Sequence, residues 1–274
     1  MKKKAELINH IVVPIKQVPE TSNVKMDPET GTMIRKGLDS IINPLDLYAI
    51  EAALLLKEKW GSHITVLSMG PMNAEESLRE ALALGCDDAI LLCDQAFRGS
   101  DTWATSYTIS QGIRCLDKYD LIICGERATD GDTGQVGPGI AAFLGLPLIT
   151  FVRRIIEDES GHWVFERLVE GGIETLETEL PALITVVKEI ANPRLPTLRG
   201  MKRAKEIDIP VLGFEELGVN PDWIGLTGSP TRVVKIQKPK VTRGGKIITA
   251  KSTDEIIEAA DQLIGYLREN NLLN

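Results

Sequence analysis

Between Cys124 and Pro147 the chain reads C-G-E-R-A-T-D-G-D-T-G-Q-V-G-P-G-I-A-A-F-L-G-L-P, six glycines and three acidic side chains between an apolar run and an apolar helix-like segment. Glycines let backbone N–H groups approach an anion closely, and a helix N-terminus adds the positive end of a dipole. The chemistry on offer is therefore phosphate binding. Thr133 and Gln135 add side-chain donors, while Asp130 and Asp132 can accept from ribose hydroxyls or cap the helix. The same residues also read as an acidic, glycine-rich turn that does no more than start a helix. The loop is not G-x-x-x-x-G-K-[ST] and holds no lysine for a terminal phosphate, which argues against a nucleotide hydrolase. Nor does G-x-G-x-x-G follow the first apolar run, where the chain reads Pro14-Ile15-Lys16-Gln17-Val18-Pro19.

Two further segments end or begin elements in the same way. Asn43-Pro44-Leu45-Asp46 reads as a cap and first-turn proline, offering another set of N–H groups. Met69-Gly70-Pro71 closes an apolar run. Ligands of open parallel sheets bind beyond the carboxyl ends of the strands, so these ends and the loop outline a pocket for an adenine nucleotide. No Ser-His-Asp set, Cys-His set or paired-carboxylate site is evident, so a cofactor must carry any chemistry.

The elements that would position these residues alternate. Strands are expected at Ile11–Ile15, His63–Met69, Ala89–Cys93 and Leu121–Cys124, and helices from Leu45 to about Lys59, over Asp101–Lys118 and over Gly134–Leu144. A further helix, with Leu78, Ala81 and Leu82 as its stripe, follows Asn73-Ala74-Glu75-Glu76, which resembles a capping box. Continuous apolar strands alternating with helices predict a parallel sheet covered on both faces. Past Pro147 lie strand-like runs at 148–156, 162–169, 173–179 and 182–187, of which two or three are expected to form antiparallel pairs on the edge of the sheet. The fold class is α/β: a doubly wound, mainly parallel, Rossmann-like sheet. The nucleotide-binding domain is assigned to 1–187, and a docking loop, extended arm and C-terminal helix to 188–274. Residues 188–250 hold 12 Lys/Arg against 6 Asp/Glu and six of the 14 prolines, which reads as a linker or as an arm along a partner protein. Ser252-Thr253-Asp254-Glu255 then caps a helix with the stripe Ile256, Ala260, Leu263 and Leu267.

Composition narrows the class. A formal net charge of −8 over 274 residues argues against nucleic acid as the main partner. Apolar runs fall far short of the ~20 residues of a membrane span, and no signal-peptide pattern follows Met1-Lys2-Lys3-Lys4. The four cysteines form no C-x-x-C and read as reduced thiols, and the three scattered histidines have no metal-ligand spacing, so no protein-held metal is expected. A cytoplasmic location follows as an expectation.

The sequence resembles the beta subunit of electron-transfer flavoproteins. The resemblance rests on Pro14 to Pro19, on N-P-L-D-L-Y-A-I-E-A-A at 43–53 and on D-G-D-T-G-Q-V-G-P at 130–138. It continues with Arg167 to Leu176, Pro181 to Thr185, and Asn192-Pro193-Arg194-Leu195-Pro196-Thr197-Leu198 with Lys202, Arg203 and Lys205 after it. The first signature position falls on Phe165, where the family usually has a small aliphatic residue. The resemblance implies a heterodimer with a larger alpha subunit that holds an FAD. It also implies nucleotide contacts at Pro14, Asn43, Pro44, Leu45, Asp46 and Met69, and at Gly125, Glu126, Arg127, Ala128, Thr129, Asp130, Gly131, Asp132, Thr133, Gly134, Gln135 and Val136. It places Leu195 and Leu198 in the loop that docks an acyl-CoA dehydrogenase or other flavin dehydrogenase, with Leu198 at the anchor position.

Members of that family divide by what fills the beta site: AMP with no redox role, or a second FAD that accepts hydride from NADH. The second kind splits the electrons between a dehydrogenase and a low-potential carrier, ferredoxin or flavodoxin, and tends to carry D-G-D-T-x-Q-V-G-P, as here. The resemblance therefore favours FAD, with AMP as the alternative. Arg127, the one cation in the loop, reads either as a group that tunes the flavin or as an ordinary ion pair. A partner-free nucleotide sensor is disfavoured by the basic arm.

Overall fold

The computed structural model describes residues 8–20, 40–157, 163–234 and 247–273. The chain forms two compact units, Met1–Lys235 and Ile236–Asn274. In the first, strands β1 (His10–Pro14), β4 (His63–Met69), β5 (Asp88–Leu92), β6 (Leu121–Gly125) and β10 (Ala182–Val186) are mutually parallel with β11 (Val211–Leu212) at one edge. Next to β10 lies β7 (Leu148–Glu157), followed by the antiparallel β8 (Trp163–Val169) and β9 (Gly172–Thr178). The full order is β11-β5-β4-β1-β6-β10-β7-β8-β9. A small antiparallel pair, β2 (Gln17–Pro19) and β3 (Ser40–Ile42), stands beside it.

Successive strand residues point to opposite faces. Ile11 and Val13 pack into one core with α1 (Asp46–Trp60) and α2 (Glu75–Leu84). Val12 packs into the other core with α3 (Thr102–Arg114) and α4 (Val136–Leu144). Both faces of β1 are covered, which is why its sequence is apolar without alternation. The chain moves outward from β1 through β4 to β5 and then crosses to β6 on the other side of β1. That reversal between β1 and β6 opens the crevice in which such sheets bind ligands.

The antiparallel edge pairs are β7–β8 and β8–β9, while the run at 182–187 forms β10, inserted in parallel between β6 and β7 with its five residues all buried. Two features differ from the sequence expectation. The segment at Asn73 is not a capping box: α2 starts at Glu75 behind a short 3-10 turn, with no side-chain cap. Asn73 exchanges two hydrogen bonds with Gln17 instead. The composition break at 187 is also not a break in packing. β11 pairs with β5, and α5 (Leu198–Glu206) lies on α2, where Arg79 donates to the carbonyls of Ala204 and Ile207. Two short helices, α6 (Phe214–Leu217) and α7 (Gly225–Gly228), follow in the same unit.

In the second unit, α8 (Thr253–Glu269) begins as its sequence suggests. Ser252 Oγ accepts the Glu255 N–H, and the Glu255 carboxylate accepts the Lys251 N–H. No described helix is long and apolar enough to cross a membrane.

Candidate functional site

The carboxyl ends of β1, β4, β5 and β6 surround one cavity of about 410 Å³. Its first wall is the glycine loop. After β6, Gly125 sits where a Cβ would collide with the Asp46 carboxylate and the Leu45 backbone, so the loop leaves the strand in contact with the first turn of α1. Asp132 and Gly134 take left-handed φ values of 56° and 62°, and the Asp132 N–H closes a turn on the Ala128 carbonyl at 2.8 Å. Gly131 has nothing within 4 Å of a built Cβ, so this stretch of backbone is open to a ligand.

Asn43 does not act as the helix cap that its position suggests. The helix starts at Asp46, behind Leu45. The Asn43 side chain is wholly buried. Its Nδ2 donates to the Arg127 carbonyl at 2.9 Å, and its Oδ1 accepts the Thr129 N–H at 3.1 Å. Asn43 therefore pins the glycine loop across 84 residues of sequence.

The floor is Asp46, Cys124 and the end of β1. Asp46 Oδ2 accepts the Lys16 N–H at 2.8 Å. Burial pushes the Asp46 carboxyl from 3.8 up to about 7, against the downward pull of hydrogen bonds from Asn43 and the Lys16 backbone. Burial likewise drives the Cys124 thiol upward, which makes it an inert wall atom. At the lip, Lys16 Nζ pairs with Asp130, 2.7 Å from both carboxylate oxygens. Arg127 Nε pairs with Asp132 at 3.1 Å and Glu126 at 3.3 Å, so its charge is shared within the loop.

The second wall escaped sequence reasoning. Phe97, Gly99, Ser100, Asp101, Thr102, Thr105 and Ile109, between β5 and the first turns of α3, line the opposite side of the cavity. Asp101 caps α3 by accepting the Trp103 and Ala104 N–H groups at 3.0 Å, and its other oxygen accepts the N–H and hydroxyl of Thr231. Burial would raise its carboxyl, but these hydrogen bonds hold it below the usual range. Thr102 Oγ1 and Thr133 Oγ1 meet at 3.4 Å, joining the two walls. The available signal was Gly99-Ser100-Asp101-Thr102, a cap sequence after a strand on the same carboxyl edge.

Of the expected contact residues, Pro14, Asp46, Met69, Gly125 to Ala128, Gly131 to Gly134 and Val136 line the cavity. Asn43, Pro44, Leu45, Thr129, Asp130 and Gln135 lie outside its lining, Asn43 acting as the pin just described and Asp130 as the partner of Lys16. Ile15, Lys16 and Gly137 join the lining without having been expected. Leu195 and Leu198 stand elsewhere, 86% and 85% exposed.

The arrangement suits a nucleotide with more than one phosphate. The N-terminus of α4 meets the cavity, the threonine hydroxyls span it, and two cations stand at its lip. This donor set fits the phosphates of a nucleotide, and Lys16, Thr102 and Thr133 are the residues that would hold them.

Comparison with known proteins agrees in character. The electron transfer flavoprotein domain family matches residues 30–215. The chain is 45% identical over 265 residues to the caffeyl-CoA reductase-Etf complex subunit CarD of Acetobacterium woodii, covering 96% of this chain and 99% of that one. It is 44% identical to the electron transfer flavoprotein subunit beta of Thermoanaerobacterium thermosaccharolyticum, with 96% and 100% covered. It is 43% identical to protein FixA of Azotobacter vinelandii, with 92% of each covered.

Proposed function

The chain belongs to the electron transfer flavoprotein family, as a beta-subunit chain, and from that membership we propose that its cavity holds FAD and accepts hydride from NADH. In this reading the chain pairs with an alpha subunit carrying a further FAD. Electrons leave one at a time, to a flavin dehydrogenase through the alpha FAD and to ferredoxin or flavodoxin. An acyl-CoA-type dehydrogenase is the favoured partner, since a relative is named for a caffeyl-CoA reductase complex. The assembly works in the cytoplasm.

The observation that carries the FAD reading is the double wall. The glycine loop alone is enough for one phosphate, whereas Thr102, in contact with Thr133, adds a hydroxyl donor from the opposite wall. A bound flavin supplies two-electron acceptance from hydride and one-electron delivery. The chain's own residues prepare its environment. Asp46, protonated below about pH 7, puts no negative charge on the floor. Lys16 can exchange Asp130 for a phosphate oxygen, and the open backbone at Gly131 admits close approach. Met69, Phe97 and Ile109 form an apolar side that excludes water. Arg127 stands half exposed beside Asp132, placed to lend positive charge to reduced flavin.

The test is cofactor stoichiometry. The chain is co-purified anaerobically with its alpha subunit, the complex is denatured, and released FAD and AMP are quantified. Two FAD per heterodimer with little AMP supports the proposal. One FAD with one AMP overturns it and leaves a docking subunit that holds AMP as a structural ligand.

A further inference from the structure

Leu195 and Leu198 project from a short segment that is tied down on both sides. Upstream, the Arg194 N–H donates to Glu51 Oε2 at 3.0 Å. The Arg194 guanidinium meets both oxygens of the same carboxylate, Nη2 to Oε1 at 2.8 Å and Nε to Oε2 at 2.9 Å. Its Nη1 reaches Glu58 Oε1 at 2.5 Å. Glu51 and Glu58 lie two helical turns apart on α1, so they face the segment together. Glu51 is only 5% exposed, so this fork holds a buried carboxylate.

Downstream, Thr197 Oγ1 accepts the Gly200 N–H at 3.0 Å and starts α5. Gly200 presses on the Ala83 carbonyl with no room for a Cβ. Arg203 then donates to the carbonyls of Leu82 and Cys86 at the end of α2. The segment thus hangs between α1 and α2, with Pro193 and Pro196 stiffening it.

We propose that Arg194, gripped by Glu51 and Glu58, is the positioning residue of the docking loop, fixing its conformation before a partner arrives. This rests on the reading of Leu195 and Leu198 as the docking contacts. A loop that is already ordered loses little conformational freedom on binding, so two exposed leucines suffice as an anchor. Arginine is required because its planar fork matches a carboxylate along two bonds while a third reaches Glu58; lysine offers a point charge. Glu51 and Arg194 stand 143 positions apart in the sequence.

The experiment uses the complete complex with its alpha subunit and takes butyryl-CoA dehydrogenase as the probe partner, with NADH saturating. Arg194→Lys is expected to raise KM for the dehydrogenase about tenfold with kcat within about twofold, and to speed amide exchange at Leu195, Thr197 and Leu198 about tenfold. Because Arg194→Lys leaves the buried Glu51 carboxylate with fewer hydrogen bonds, the double variant Glu51→Gln with Arg194→Met is run beside it, and the same KM rise is expected. Faster loop exchange at wild-type KM, or unchanged exchange in both variants, overturns the positioning role. Leu198→Ala separates the two claims: a wild-type KM there overturns the docking reading itself, whatever the Arg194 variants do.

Discussion

The Asp46 carboxylate accepts the Lys16 backbone N–H at 2.8 Å, so the acid on the cavity floor also fixes the turn by which the chain leaves its first strand. The same lysine sends its ammonium to Asp130 on the far lip. One residue thereby joins the floor to the glycine loop, and the site behaves as a linked set rather than as separate contacts.

The first consequence concerns pH. The unfolded chain loses the Asp46 proton near 3.8, whereas the folded chain keeps it to about 7. Between these values the folded state binds the extra proton. The stability from Asp46 is therefore complete below about pH 4, declines as pH rises through about 7, and is flat above. The full span is on the order of 4 kcal/mol. Asp46→Asn is expected to remove this slope. Denaturant midpoints of wild type and variant at about pH 5 and about pH 8 check it, and parallel slopes would refute it.

Asn43→Ala removes both hydrogen bonds to the glycine loop. Two neutral bonds at about 1 kcal/mol each predict roughly 10- to 30-fold weaker nucleotide binding. Asn43→Asp keeps an acceptor for the Thr129 N–H but loses the donor to the Arg127 carbonyl, so its effect should fall between. Calorimetric titration of FAD into cofactor-stripped complex measures all three.

Gly125→Ala forces a methyl group onto the Asp46 carboxylate and the Leu45 backbone. Overpacking of this kind costs about 1–3 kcal/mol, several degrees of melting temperature. Gly131→Ala meets open space and should leave the melting temperature within a degree or so. Its effect should appear in cofactor affinity instead. Thermal scans of stripped and loaded complexes distinguish the two positions.

Lys16→Met breaks a lip ion pair whose side chains are 47% and 35% exposed, so stability should change by less than about 1 kcal/mol. Under the proposed FAD reading, affinity for FAD should fall about tenfold and lose part of its dependence on salt, because the cation proposed to meet a phosphate is gone. Binding titrations at two ionic strengths check both expectations.

Local pattern made much of this protein legible. The apolar runs at β1, β4, β5 and β6 predict buried parallel strands because burial on both faces removes alternation. The glycine loop at 125–134 is visible because glycine spacing is itself a statement about backbone freedom. Folding decided what each side chain would meet. The run at 182–187 is legible as a strand but its place between β6 and β7 is not, because periodicity reports burial and not which strand lies alongside. Asn43 has the composition of a helix cap, yet its amide holds Arg127 and Thr129, since a short polar side chain takes whichever partners the fold brings near. The Phe97–Thr105 wall, the Lys16–Asp130 lip and the Arg194–Glu51 fork join segments far apart in the chain. Such contacts leave no local periodicity behind, because they arise when the sheet order closes distant strand ends around a common edge.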